Sequence, residues 1–169
     1  ADAVAASKGE APAEKPALKL DIPVDAHIPE SYVPGERLRL EVYGKIAAIT
    51  GGEQEKDLRD ELIDRYGPIP RNVELLFAIT RLREILRAAG LEEVVTQGKY
   101  LRLGPVELRD SQVLRLKRLH PGTVIKAALR QVLVPLPLTK RLGGDPLTDE
   151  PLLEWVETLV TKILVPFSA

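Results

Sequence analysis

The sequence predicts an α+β fold: a single compact domain with amphipathic helices packed on a small, largely antiparallel sheet. Helical periodicity occupies most of the first half of the 169 residues. Short apolar, β-branched runs between turn signals occupy much of the second half. Helices first and strands later argue against the β–α alternation of a doubly wound sheet. No internal repeat is visible.

Leu18, Leu20, Ile22 and Val24 alternate with other residues, which suits a strand over 18–28, ended by Pro29. Pro23 lacks the N–H that a ladder needs and argues for a sheet edge. After a turn at 31–35, a helix is expected from Glu36, with Leu40, Tyr43 and Ala47 on one side and Gly51-Gly52 at its end. A second helix runs from Glu53 to Tyr66, where Gly67 suits the left-handed C′ position and Pro68 forbids continuation. A third starts after Pro70, capped by Asn72. Its stripe is Leu75, Leu76, Ile79, Leu82 and Leu86, and Gly90 closes it.

Residues 91–96 and 99–103 then read as two strands joined by a hairpin at Gln97-Gly98, where glycine can take a positive φ. Val106–Leu108 suggests a further short strand. Asp110 or Ser111 can cap a helix carrying Val113, Leu114 and Leu116, stopped by Pro121-Gly122. Two more apolar runs, 123–127 and 129–136, precede a loop over 141–149. The last helix is capped at Thr148 or Asp149, has Pro151 in its first turn, and carries Leu152, Leu153, Val156, Leu159, Val160 and Ile163.

Residues 1–17 hold almost no large apolar side chain, so they are expected to form a flexible linker or tail. That leaves a domain over 18–166, enough for one real core. The chain has no cysteine, which suits a reducing compartment and a cytoplasmic setting. It also has no methionine. With the leader, that favours a piece of a longer polypeptide. No apolar run is long enough to span a bilayer.

Catalysis has little support. There is no glycine-rich phosphate loop, since the Gly-Lys pairs at 44–45 and 98–99 lack the upstream glycine. None of Ser7, Ser31, Ser111 and Ser168 sits in a nucleophile elbow. The two histidines, His27 and His120, fall beside predicted element ends and are too few for a metal site. No cofactor is expected, and the chain itself is not expected to be an enzyme.

The second helix carries the distinctive pattern. At 100° per residue, Leu58, Leu62 and Tyr66 share one face, and Asp57, Asp60, Glu61 and Asp64 gather opposite within an arc of roughly 100°. Arg59 and Arg65 fall at the margins. Such a stripe is either a solvated face or a strip for docking an arginine-rich partner, which several carboxylates on one rigid helix can hold. A second charged feature spans 99–130: Lys99, Arg102, Arg109, Arg115, Lys117, Arg118, Lys126 and Arg130 against Glu107 and Asp110 alone. It supports an alternative reading as an accessory nucleic-acid-binding domain. Its single aromatic, Tyr100, gives little basis for base stacking.

The run Asp25-Ala26-His27-Ile28-Pro29-Glu30-Ser31-Tyr32-Val33 is followed by Arg37-Leu38, Tyr43, Ile46-Ala47, then Glu61-Leu62-Ile63-Asp64-Arg65-Tyr66-Gly67-Pro68-Ile69-Pro70 and the 78–82 segment. Together these resemble the C-terminal domain of bacterial transcription-repair coupling factors (Mfd), well over about residues 20–108 and loosely beyond. The resemblance implies a regulatory module of an ATP-dependent DNA translocase whose motor lies outside this chain. It implies that the module docks on a UvrB-like module of the same polypeptide and masks UvrA binding until RNA polymerase is engaged. It places the docking contacts on Glu61 and Asp64, two members of the carboxylate stripe. One departure is Gly44, where a basic, helix-favouring residue is expected. Glycine there costs about 0.5–1 kcal/mol against alanine, which implies a locally soft helix.

Overall fold

A computed structural model describes residues 17–164. The expected linker lies outside the described residues except for Ala17, as do the last two residues of the expected domain. A five-stranded sheet has the order β1-β2-β3-β5-β4: β1 (Lys19–Asp21), β2 (Glu93–Gln97), β3 (Tyr100–Gly104), β4 (Val124–Lys126) and β5 (Gln131–Pro135). β1 pairs parallel with β2, and every other pairing is antiparallel. The helices are α1 (Glu36–Ala47), α2 (Gly52–Tyr66), α3 (Arg71–Ala88), α4 (Asp110–Leu119) and α5 (Asp149–Leu159), the last continuing as a π-helical turn over Val160–Leu164. No helix among the described residues is long and apolar enough to cross a membrane.

There are two apolar cores, and α3 belongs to both. On the sheet side, Leu75, Leu82 and Leu86 pack with Val94, Leu101, Leu103, Val132 and Val134 and with Leu152, Val156 and Ile163. On the other side, Val73 and Phe77 pack with Val42 and Ile46 of α1, Leu58 and Leu62 of α2, and Ile28 and Val33 of the connecting segment. At 100° per residue those two sets of α3 side chains lie roughly 180° apart. The expected stripe captured the sheet side and, through Leu76, only the margin of the other. Val73 and Phe77, both 0% exposed, form the face it lacked.

Several local expectations change for identifiable reasons. The strand expected over 18–28 is only three residues long, because the ladder stops before Pro23. It does occupy a sheet edge, as that proline requires. α1 turns Val42 and Ile46 inward and leaves Leu40 63% exposed, since Leu40 lies roughly 200° around the helix from Val42. α1 ends at Ala47, and Gly51-Gly52 instead open α2. Asn72 sits inside α3 rather than capping it, and Pro70 takes the cap position. No strand forms over 106–108, because β5 already occupies the position beside β3. Arg109 precedes α4, and its N–H donates to Gln112 Oε1 at 2.8 Å. Gly67 and Gly98 take positive φ, 94° and 61°, as their turns demand. α1 continues unbroken through Gly44.

A charged network joins α2 to α3. Arg59 was expected at the margin of its helix. Its guanidinium instead lies 4.4 Å over the Phe77 ring, and its two terminal nitrogens donate to Glu74 at 2.9 and 2.6 Å. Its Nε donates to Glu55 at 2.9 Å, and Arg81 adds a second donor to Glu55 at 2.6 Å. The Glu74 and Glu55 carboxylates hold Arg59 more firmly protonated than usual. Burial pushes Glu55 up, but hydrogen bonds from Arg59 and Arg81 outweigh it, and its carboxyl lies below the usual range.

Two outcomes are expected. Phe77→Ala removes a fully buried ring and the surface under Arg59, so unfolding in urea should show a loss of about 3–5 kcal/mol. Because the folded-state pKa of Glu55 is depressed, its contribution is present above the ordinary value of 4.5 and is lost as pH falls through the lower folded value. Denaturant titrations from pH 4.5 down through the folded value should show stability falling, with a shallower fall in Glu55→Gln.

Candidate docking surface

α2 is held from behind, so its outer face is presented on a fixed support. Leu58 is 7% and Leu62 1% exposed, and the Tyr66 ring lies 5.7 Å from that of Tyr32. The Tyr32 hydroxyl donates to Gly67 O at 2.9 Å, joining the two sequence runs that carry the family resemblance. Tyr43 accepts a hydrogen bond from Ile28 N–H at 2.8 Å. Asn72 Nδ2 donates to Asp25 Oδ2 at 3.0 Å, and Asp25 N–H donates to Asp149 Oδ1 at 2.7 Å. These motif residues therefore hold the fold: Asp25 ties the N-terminal segment to the starts of α3 and α5.

All four residues of the expected stripe lie on the outer side of α2. Asp57, Asp60 and Asp64 are exposed and Glu61 is half-buried. Their surroundings differ. Glu61 accepts from Lys45 of α1 at 2.7 Å and from Arg65 at 3.4 Å, and the hydrogen bond from Lys45 is the main reason its carboxyl lies below the usual range. Asp60 meets Lys56 at 3.3 Å. Asp57 and Asp64 form no salt bridge among the described residues. Two uncompensated carboxylates thus flank one that is already engaged. Beside them a cleft of about 330 Å³, lined by Lys45, Ile49, Asp57, Leu58 and Glu61, gives an incoming side chain an apolar wall next to the acids.

The basic segment is not one continuous surface. Arg102 is paired with Glu93 at 3.0 Å and donates to Gln97, and Arg130 lies 3.7 Å from Glu107. Arg115 is half-buried. Lys117, Arg118 and Lys126 are exposed and make no salt bridge among the described residues. His120 follows α4 and is packed edge-on against Trp155 at 5.7 Å; burial pushes its pKa down. Among the described residues no group of three or more His, Asp or Glu side chains is placed to hold a metal ion.

Sequence reasoning found the stripe but missed the roles of Lys45 and Arg59. Both depend on which helix lies alongside α2, and single-helix periodicity carries no signal for that.

The TRCF domain family model matches residues 22–115. The transcription-repair-coupling factors of Mycobacterium bovis and Mycobacterium tuberculosis are each 39% identical over 153 residues, covering 89% of this chain and 12% of theirs. That of Staphylococcus epidermidis is 31% identical over 137 residues, covering 79% of this chain and 12% of its own. The chain thus spans about one eighth of the length of these relatives. A solved structure described as the C-terminal domain of transcription-repair coupling factor superposes with a TM-score of 0.68, covering 91% of this chain and 98% of that one. At 19% identity this likeness shows a shared fold. By the family match, the chain belongs to the transcription-repair-coupling factors and carries their TRCF domain.

Proposed function

We propose that this domain is an autoinhibitory module of a transcription-coupled repair translocase. In this reading it docks through Asp57, Asp60, Glu61 and Asp64 on a basic surface of the UvrB-like module of the same polypeptide. While docked it covers the UvrA-binding surface, and engagement of RNA polymerase by the larger protein releases it. The observation that carries the reading is the pair Asp57 and Asp64, exposed and without a cation among the described residues, on a helix locked from behind by Leu58, Leu62 and Arg59. Fixed carboxylates bind guanidinium groups without first ordering a mobile segment, so less of the contact energy is lost to entropy.

Glu61 is the exchange point. It is bound to Lys45, and a partner arginine replaces that lysine or joins it. Surface ion pairs contribute at most about 1 kcal/mol, so the exchange costs little. A tether supplies an effective concentration near the millimolar range, and a contact that is weak between separate molecules is then sufficient within one chain. A contact of that strength also releases readily.

The test is calorimetric titration of this domain into a separately produced UvrB-like module at low and moderate salt. Expected is salt-sensitive binding that weakens about tenfold or more in Asp57→Lys with Asp64→Lys. The thermal transition of that variant should match wild type, since neither residue has an ion pair to lose. Binding unchanged by the double substitution removes the stripe from the interface.

A second reading, as an accessory nucleic-acid-binding domain, rests on Lys117, Arg118 and Lys126 being exposed without carboxylate partners among the described residues. It expects duplex DNA to be retarded at low salt, and less so by Lys117→Glu with Arg118→Glu. No retardation of the wild-type domain at low salt eliminates it.

A further inference from the structure

A second concavity lies between α1, α3 and the segment after β1, and shares no residue with the acidic stripe. Its volume is about 440 Å³, room for a few side chains. Val24, Ile46, Leu76 and Ile79 make its walls apolar, and Arg83 and Arg87 stand on its α3 side. Leu76, Ile79, Arg83 and Arg87 follow at helical spacing, so one stripe of α3 passes from aliphatic to cationic along the cleft.

The two arginines are incompletely satisfied. Among the described residues Arg83, half-buried, faces no carboxylate within salt-bridge distance and makes one side-chain hydrogen bond, to Leu18 O at 3.3 Å. Arg87 meets Glu84 at 3.2 Å, yet its buried Nε finds no acceptor among the described residues. Burial and the neighbouring Arg87 charge both push Arg83 below its usual pKa, the direction expected for a cation short of a counter-charge. Among the described residues Arg83 thus stands beside an aliphatic trough without a carboxylate partner of its own. A half-buried guanidinium with a single hydrogen bond is costly, and a ligand oxygen at Arg83 reduces that cost.

We propose that this cleft is a separate docking site for a short polypeptide segment in which a glutamate or aspartate stands near an aliphatic residue. The carboxylate bridges Arg83 and Arg87, and the aliphatic side chain fills the trough between Ile46, Leu76 and Ile79. The planar fork of a guanidinium matches the two oxygens of a carboxylate, and the apolar wall beside it takes the aliphatic neighbour. The trough is also too small to receive a duplex backbone. Its partner carries the opposite charge to the partner of the α2 stripe, so the two sites fail independently.

The test is NMR titration of the isotope-labelled 169-residue chain, reading the Nε–Hε signals of Arg83 and Arg87 and the amides of Ala47 and Ile79. The probes are acetyl-Leu-Ala-Glu-amide, its Gln counterpart and sodium acetate. Expected are saturable shifts with the Glu peptide, about tenfold weaker binding of the Gln peptide, and similar weakening in Arg83→Gln with Arg87→Gln. The peptide comparison is made on wild-type protein and holds even if the double variant is unstable. Absence of saturable shifts, or equal binding of the two peptides, overturns the proposal. Equal binding of acetate reduces the site to a simple anion site. The same shifts on concentrating the protein alone would make a second copy the occupant. Either of these last results also overturns it.

Discussion

Burial of α3 on opposite sides is the constraint from which the remaining arrangement follows. Val73 and Phe77 point into the helical core, while Leu75, Leu82 and Leu86 point to the sheet. A helix solvated on one side can slide or tilt to relieve a poor contact, because only one packing surface has to be satisfied. α3 has two such surfaces, and a movement that improves one disturbs the other. Close-packed interiors transmit such displacements rather than absorb them. The two cores therefore behave as one cooperative unit, because α3 belongs to both.

The same geometry governs the outer helix. α2 contributes Leu58 and Leu62 to the helical core, and Arg59 ties it to Glu74 and Phe77 of α3. A planar guanidinium with several acceptors and a ring beneath it tolerates little rotation. With the inner face so constrained, the carboxylates outside keep fixed spacings. Lys45 adds a cross-link from α1 to Glu61. The acidic face thus has a stiff backbone and short side chains, properties that favour discrimination between partners over raw strength.

Much of this was legible in the sequence, because periodicity reports directly on burial. The α+β class, the Gly98 hairpin, the acidic stripe and the edge position of the first strand all follow from spacing and from proline and glycine chemistry. What was not legible depends on neighbours. Leu40 reads as a core residue until Val42 and Ile46 are seen to face inward. Asn72 reads as a cap until its amide is found on Asp25. Arg59 reads as a marginal surface charge until Glu74, fifteen residues later, is found opposite it. Val106–Leu108 has strand-like composition but no open edge beside β3 to join.

Gln112 shows where the stretch matched by the family model and the folded unit part company. Its amide, 4% exposed, donates to Ile163 O at 3.1 Å, while its carbonyl accepts from Arg109 N–H. The family match closes at residue 115, soon after it. A protein cut at that boundary would keep β3 but lose β5 alongside it, leaving an open ladder and uncovering Leu101 and Leu103. It would also strand the Gln112 amide. The portion matched by the family model is thus not self-sufficient. The stretch beyond it is the missing wall of its own interior, and any excision, fusion or transplant of the domain has to carry that stretch through Leu164.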